Sequence, residues 1–365
     1  MPLLSVKSHY QKIKAFYKRY EHFFMPALII WGFIYHYITF KIIPIREVLY
    51  LVFGYLVLAT ATILFVNFYD AGKITQKLRY VRLFIPLLLQ FSLGSIIGGV
   101  FIFYWFSGSI FVSWPFIAIV LIFIISIEAF KHHLEKPIVQ LSIYYFATFL
   151  LLAVALPYFF KSLSPWIFIA AGAISWLLVF ILTRLLARHS QEIKKRETKI
   201  LISGLVIFAV MAFFYFNNLI PPVPLSIRDA GVYHDVRRVG ANYAVQAEPQ
   251  SFWQKLTFTP TIHLAPGEDA FVFTSIYTPV DLQTEIVHDW QYYDTTQKKW
   301  ITMSKLSFSI IGGRQDGYRG YSYKTNMQAG AWRVFVETPR GQVLGRYQFN
   351  VQRVSQPPQL ETILK

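Results

Sequence analysis

The sequence predicts an α-helical multi-span membrane bundle of about seven helices followed by an all-β, immunoglobulin-like sandwich domain. Three observations predict it. The chain is 55% hydrophobic and 15% charged, where soluble domains carry about 25% charged residues. Seven long apolar runs fill residues 24–220. After residue 221 the apolar runs shorten to alternating patterns separated by turn residues, which is the period of strands. The implied segments are 1–23, a basic N-terminal segment; 24–220, the helical domain; 221–356, the β-sandwich; and 357–365, a loose tail.

Charge divides along the same line. Residues 1–220 hold 20 Lys and Arg against 7 Asp and Glu, a net of +13. The remainder holds 15 against 12, a net of +3, which together give the +16 of the whole chain. The basic excess therefore belongs to the apolar half, where it fixes orientation in a bilayer. No nucleic-acid-binding module accompanies it, so nucleic acid is not an expected partner. The chain has no cysteine, which removes disulfides, thiolate nucleophiles and Cys-ligated metals.

Residues 1–23 interleave Lys7, Lys12, Lys14, Lys18 and Arg19 with Tyr10, Phe16, Tyr17 and Tyr20. Such a segment either lies on anionic headgroups as an amphipathic helix or is a solvated tail that sets topology. It does not read as a cleaved signal peptide, because no small-residue cleavage site follows it. The apolar runs come next, at Phe24–Phe40, Val48–Tyr69, Leu83–Phe106, Ile110–Ile127, Ile138–Phe160, Trp166–Ala187 and Ile200–Ile220. About 20 residues at 1.5 Å each cross the hydrocarbon core. The first run is short for a span and contains His36.

Loop charges set the orientation. The N-terminal segment and the loops near residues 70–82, 128–137 and 184–199 together carry 17 Lys and Arg, against Lys41, Arg46 and Lys161 on the other side. The positive-inside rule then puts the N-terminus in the cytoplasm and the C-terminal domain outside. The central parts of the runs contain no Asp, Glu, Lys or Arg. Such a residue costs at least about 2.5–3.5 kcal/mol in mid-membrane and usually marks an ion path, so a coupled transporter is disfavoured. Asn67 and Gln90 read as interhelical hydrogen-bonding groups, and Gly94, Gly98 and Gly99 as a close-packing face.

In the C-terminal half, Pro221, Pro222 and Pro224 predict a stiff, extended exit from the last span. Phe271, Phe273, Ser275 and Tyr277 alternate with Val272, Thr274 and Ile276. Ile286, His288, Trp290 and Tyr292 alternate with Glu285, Asp289 and Gln291, and Leu306, Phe308 and Ile310 form a further half-apolar run. Val239–Val245 reads as a single strand. Trp332, Val334 and Val336 face inward with Arg333 and Phe335 outward, Pro339 to Gly341 make a turn, and a returning strand buries Val343, Tyr347, Phe349 and Val351.

Within this region His288-Asp289-Trp290, Gly312-Gly313-Arg314, the Gly317–Ser322 stretch, Gly330-Ala331-Trp332-Arg333-Val334, and Gly341–Arg346 followed by Phe349-Asn350-Val351 occur in order. Together they resemble the bacterial family called domain of unknown function 2914. The multi-span half is similar to the membrane region called domain of unknown function 5924. The resemblance implies a bacterial envelope protein and supplies no activity.

Two constellations carry the available chemistry. His288 is a weak metal or acid–base candidate, but Asp289 beside it points to the opposite face of a strand, so a hydrogen-bonded core histidine is expected. His234-Asp235 is read the same way, and His263 stands alone. Arg314, Arg319, Arg333, Arg340 and Arg346 form a constellation with Tyr318, Tyr321 and Tyr323, and Arg314, Arg319, Arg333 and Tyr321 are its candidate ligand-binding residues, because guanidinium groups beside tyrosines suit an anionic glycan or lipid headgroup. Cross-strand ion pairing is the plainer account of the same arginines. No nucleophile elbow, phosphate loop or metalloprotease motif occurs, so no enzyme activity and no cofactor are expected. The expected function is non-enzymatic: binding of an envelope component or partner protein by the exported domain, beside contact with the lipid bilayer. The alternative is a lipid or neutral-solute path through the helices with the sandwich as a cap. Oligomeric state does not follow from the sequence.

Overall fold

A computed structural model of the 365-residue chain describes residues 45–129, 136–240, 242–249, 259–278, 283–311 and 314–365, with four positions between 31 and 38. The apolar run at Phe24–Phe40 and the basic segment 1–23 thus lie largely or wholly outside the described residues. Among the described residues there are six helices rather than the seven expected: α1 (Ile45–Asp70), α2 (Arg79–Ser107), α3 (Ile110–Ala129), α4 (Pro137–Phe160), α5 (Pro165–Ala187) and α6 (Gln191–Phe216). All but α3 are long and apolar enough to cross a membrane; in α3 the apolar stretch is the shorter Phe111–Ile127. These helices fit a membrane protein.

Local chemistry sets the helix ends. α1 stops where Gly72 takes φ +70°, and the Gly72 and Lys73 amides return to the Tyr69 and Phe68 carbonyls at 3.0 and 2.8 Å. That closes the last turn with a left-handed residue that glycine adopts without a Cβ penalty. α5 begins with Pro165 directly after Ser164, where the missing amide costs nothing.

α4 is buried along nearly its whole length, as expected of a helix apolar on every side. Its aromatic side chains meet those of its neighbours: Phe146 stacks on Phe123 of α3 at 3.8 Å, and Phe149 packs against Phe168 of α5 and Phe208 of α6. The polar groups bond between helices. Asn67 donates to Gln140 Oε1 at 2.9 Å. Thr60 and Tyr144 share a 2.7 Å bond, as do Ser142 and Ser203. Gln90 donates to the Ile127 carbonyl at 3.3 Å. The bridging role expected of Asn67 and Gln90 is what the structure shows.

A second compact unit holds residues 217–365 together with the short segments 106–114 and 160–163. It contains eleven strands among the described residues: β1 (Ser226–Tyr233), β2 (Asp235–Val239), β3 (Asn242–Ala247), β4 (Thr261–Leu264), β5 (Ala270–Thr278), β6 (Gln283–Asp294), β7 (Lys299–Ile311), β8 (Arg314–Lys324), β9 (Gly330–Glu337), β10 (Val343–Arg353) and β11 (Glu361–Leu364). They form three sheets, in the orders β1-β5-β8, β4-β10-β9-β6-β7 and β11-β3-β2. The pairings are antiparallel except β10 with β4.

β5 explains the layering. Ala270, Val272 and Ile276 join Trp290, Trp332, Val334, Val336 and Phe349 in the core between the three-stranded β1-β5-β8 sheet and the five-stranded sheet. On its other side, Phe271 and Phe273 pack with Val236, Tyr243, Val245 and Ile363 of the small third sheet. A strand buried on both faces reads as nearly continuous apolar sequence, and β5 does. The third sheet is absent from the two-sheet immunoglobulin-like outline.

Three local expectations differ. The tail beyond residue 356, expected to be loose, includes β11, which pairs with β3 from Glu361–Ala247 to Leu364–Ala244. Its Ile363 joins the small core, and Lys365 Nζ bonds Asp229 at 2.7 Å. The Val239–Val245 run is two strands, not one, because Gly240 turns at φ +61°. The proline exit is a turn, not an extended segment: Val223 donates to the Pro221 carbonyl at 2.9 Å and Leu225 to that of Pro222 at 3.0 Å. The apolar Val223 and Leu225 are buried there, which favours the compact path.

The β9–β10 hairpin is as expected at its centre. Trp332, Val334 and Val336 are buried, and Gly341 turns the chain at φ +83°. A register shift between Val343 and Gly345 moves Leu344 into the core, the displacement that a bulge produces.

Candidate functional site: an arginine–tyrosine face and an interior histidine

β8 divides its side chains by strand alternation. Gly320 and Ser322 point to the main core. Gly320 is required there, because a Cβ would meet Phe308 Cε2 at 2.3 Å. Gly320→Val is expected to destabilise the β domain by about 1–3 kcal/mol through overpacking, read as a lowered thermal midpoint of the full-length protein. An unchanged midpoint would contradict the packing described.

Arg319, Tyr321 and Tyr323 point the other way. Tyr321 lies 6.0 Å from Phe271 and 6.2 Å from Tyr243, and Tyr323 stacks on Phe271 at 5.3 Å and 26°. Tyr321 and Tyr323 remain 38% and 52% exposed. Arg319 Nη1 donates to Asn242 Oδ1 at 3.1 Å, and the Tyr243 hydroxyl donates to the Arg319 carbonyl at 3.3 Å. The result is a row of aromatic rings, accessible at one end and held by β3, with a guanidinium alongside. Rigid rings of this kind offer contact area at low conformational cost.

Arg333 does not join this face. Arg314 opens β8 opposite Thr278. Arg333 lies on β9, on the outer side of the five-stranded sheet. Its Nε donates to Gln291 Oε1 at 2.8 Å, and its guanidinium sits over Trp300 at 4.2 Å and Phe335 at 4.8 Å. Arg319 and Tyr321 thus share a surface, and Arg333 belongs to a different one.

His288 is fully buried. Its Nε2 lies 3.0 Å from Thr274 Oγ1 and its Nδ1 2.8 Å from Ser322 Oγ, which also accepts the Trp290 indole N–H at 2.9 Å. One proton arrangement satisfies every group: Trp290 donates to Ser322, Ser322 to His288 Nδ1, and His288 Nε2 to Thr274. Burial pushes the His288 pKa down to about 4, because a charge there would lose its hydration. Asp289 points to the opposite face of β6, where Oδ2 accepts the Gln291 amide at 2.5 Å. The core reading of His288 agrees with this geometry.

His263 does not stand alone. Glu248 joins it to His234: Oε1 lies 2.9 Å from His234 Nε2, and Oε2 lies 2.6 Å from His263 Nδ1. The His263 amide also donates to Oε1 at 2.6 Å. Burial raises the Glu248 carboxyl, but the hydrogen bonds from His234 and from the His263 backbone and ring outweigh it and hold the group below the usual carboxylate range. Asp235, the sequence neighbour of His234, pairs with Arg237 instead. No sequence signal announced this knot, because it forms only when the end of β3 meets β4. Among the described residues no group of three or more His, Cys, Asp or Glu could hold a metal ion.

Residues 283–351, from β6 into β10, match the family described as protein of unknown function (DUF2914). No curated protein matches the chain. Among solved structures it is similar to the Pseudomonas fluorescens alkylpurine DNA glycosylase AlkC bound to DNA containing an abasic site analog, at 13% identity, covering 83% of this chain and 98% of that one, with a TM-score of 0.21. A TM-score that low carries no argument about fold or function.

Proposed function

We propose that this chain is a multi-pass protein of the bacterial inner membrane whose β domain faces the periplasm and binds an envelope component or partner protein without catalysing a reaction. The exposed Tyr321–Tyr323 row beside Arg319 carries the reading, because aromatic rings and arginine are the side chains most enriched at binding surfaces. The 17-to-3 division of loop Lys and Arg supports the orientation. Kinship of the helical half with domain of unknown function 5924, and an immunoglobulin-like outline for the two larger sheets, belong to the same reading. Three pairs of polar side chains bond between helices, Asn67 with Gln140, Thr60 with Tyr144 and Ser142 with Ser203, which supports anchoring over a solute path.

A photo-crosslinking residue at Tyr323, with Ser307 as the control position, tests this in intact cells. A discrete adduct from Tyr323 and none from Ser307 is the expected result. Equal labelling at both positions, or a reporter after Lys365 that is active only in the cytoplasm, would refute it.

A further inference from the structure

The outer face of the five-stranded sheet carries two arginines that form no ion pair among the described residues. Arg333 pairs with Gln348 and Arg346 with Phe335 across β9 and β10. The two are therefore diagonal neighbours on one face, within reach of each other's long side chains. Both are half-buried. Among the described residues neither guanidinium has a carboxylate oxygen within 4.0 Å.

Glu337 on β9 and Asp289 on β6, which lies opposite Phe335, share this face. Glu337 is paired with Lys305 at 2.9 Å. Asp289 is buried, and the Gln291 side chain stands between it and Arg333, donating to Asp289 Oδ2 and accepting from Arg333 Nε. That relay orients Arg333 while spending only one of its five N–H groups. Aromatic rings lie against both guanidiniums: Trp300 and Phe335 against Arg333, and Phe111, in the segment 106–114 of the same compact unit, 4.2 Å from Arg346. Burial lowers the Arg333 pKa and the Arg346 charge lowers it further, with Asp289 opposing them. Two mutually repelling guanidiniums side by side on one sheet face suit a tetrahedral oxyanion, whose several oxygens can bridge both.

We infer that Arg333 and Arg346 form an anion-binding site for a phosphoryl group, either the phosphodiester of an anionic lipid or a soluble phosphate. The site is separate from the Tyr321–Tyr323 face and stands whatever that face binds.

The test uses the full chain in phosphatidylcholine nanodiscs and measures phenylglyoxal modification of Arg333 and Arg346 by peptide mass spectrometry. One arm adds inorganic phosphate against sodium chloride of equal ionic strength. The other replaces half the phosphatidylcholine by phosphatidylglycerol. Modification of both arginines should slow about fivefold in at least one arm once ligand exceeds its dissociation constant about fourfold. Protection by phosphate identifies a soluble ligand, and protection by phosphatidylglycerol alone identifies a lipid headgroup. In R346Q the protection of Arg333 should be lost. R346K, which keeps a cation and the stem, should retain part of it and serves if R346Q fails to fold. Unchanged rates in both arms would overturn the site, as would full protection of Arg333 in R346Q.

Discussion

Trp290→Ala is expected to unfold the β domain or bring it close to unfolding. The Trp290 side chain is fully buried, meets Phe349 edge-on at 6.2 Å, and gives its N–H to Ser322. Truncating a buried tryptophan costs about 3–5 kcal/mol, a large part of the stability of a typical domain. The loss also deprives Ser322 Oγ of a donor within the His288 network. Near-UV circular dichroism of the full-length protein in detergent should show the transition tens of degrees lower, or no folded baseline. A shift of only a few degrees would mean that Trp290 is not in the core.

Stability should also fall between pH 6.5 and pH 4 because of His288. In the unfolded chain this imidazole takes up a proton near pH 6.5, whereas the folded protein holds it neutral down to about pH 4. Across that window the unfolded state binds more protons, so stability is complete above pH 6.5 and is lost as pH falls. The loss reaches on the order of 3 kcal/mol by pH 4. Glu248, held below its ordinary value of 4.5, contributes stability that is present above that value and is lost as pH falls from there through its folded value. Urea unfolding at several pH values checks this. The slope of stability against pH between 6.5 and 4.5 should be steep in the natural protein and nearly flat in His288→Gln, whatever the baseline of the variant. Equal slopes would refute the assignment.

The faces of His288 and Trp290 were legible in the sequence for a simple reason. In a strand, alternation alone puts His288 and Trp290 on one face and Asp289 on the other. The apolar runs of α1, α2, α4, α5 and α6 were legible in the same way, because length and hydropathy suffice to mark a helix that can span a membrane. The arginine–tyrosine constellation was legible only as composition. Arg319 and Tyr321 share a strand face because they are two residues apart. Arg333 was grouped with them by nearness in sequence, yet it lies on the other sheet.

By itself, then, the sequence determined periodicities: which segments are helices, which are strands, and which side of each strand is buried. Tertiary structure alone decided which segments meet. It brought Glu248 between His234 and His263, recruited the expected loose tail as β11, and placed Arg346 beside Arg333. The physical reason is that a local repeat is fixed by a few adjacent residues. Pairing between distant segments depends instead on register, bulges and shared cores, which no single stretch of the chain encodes.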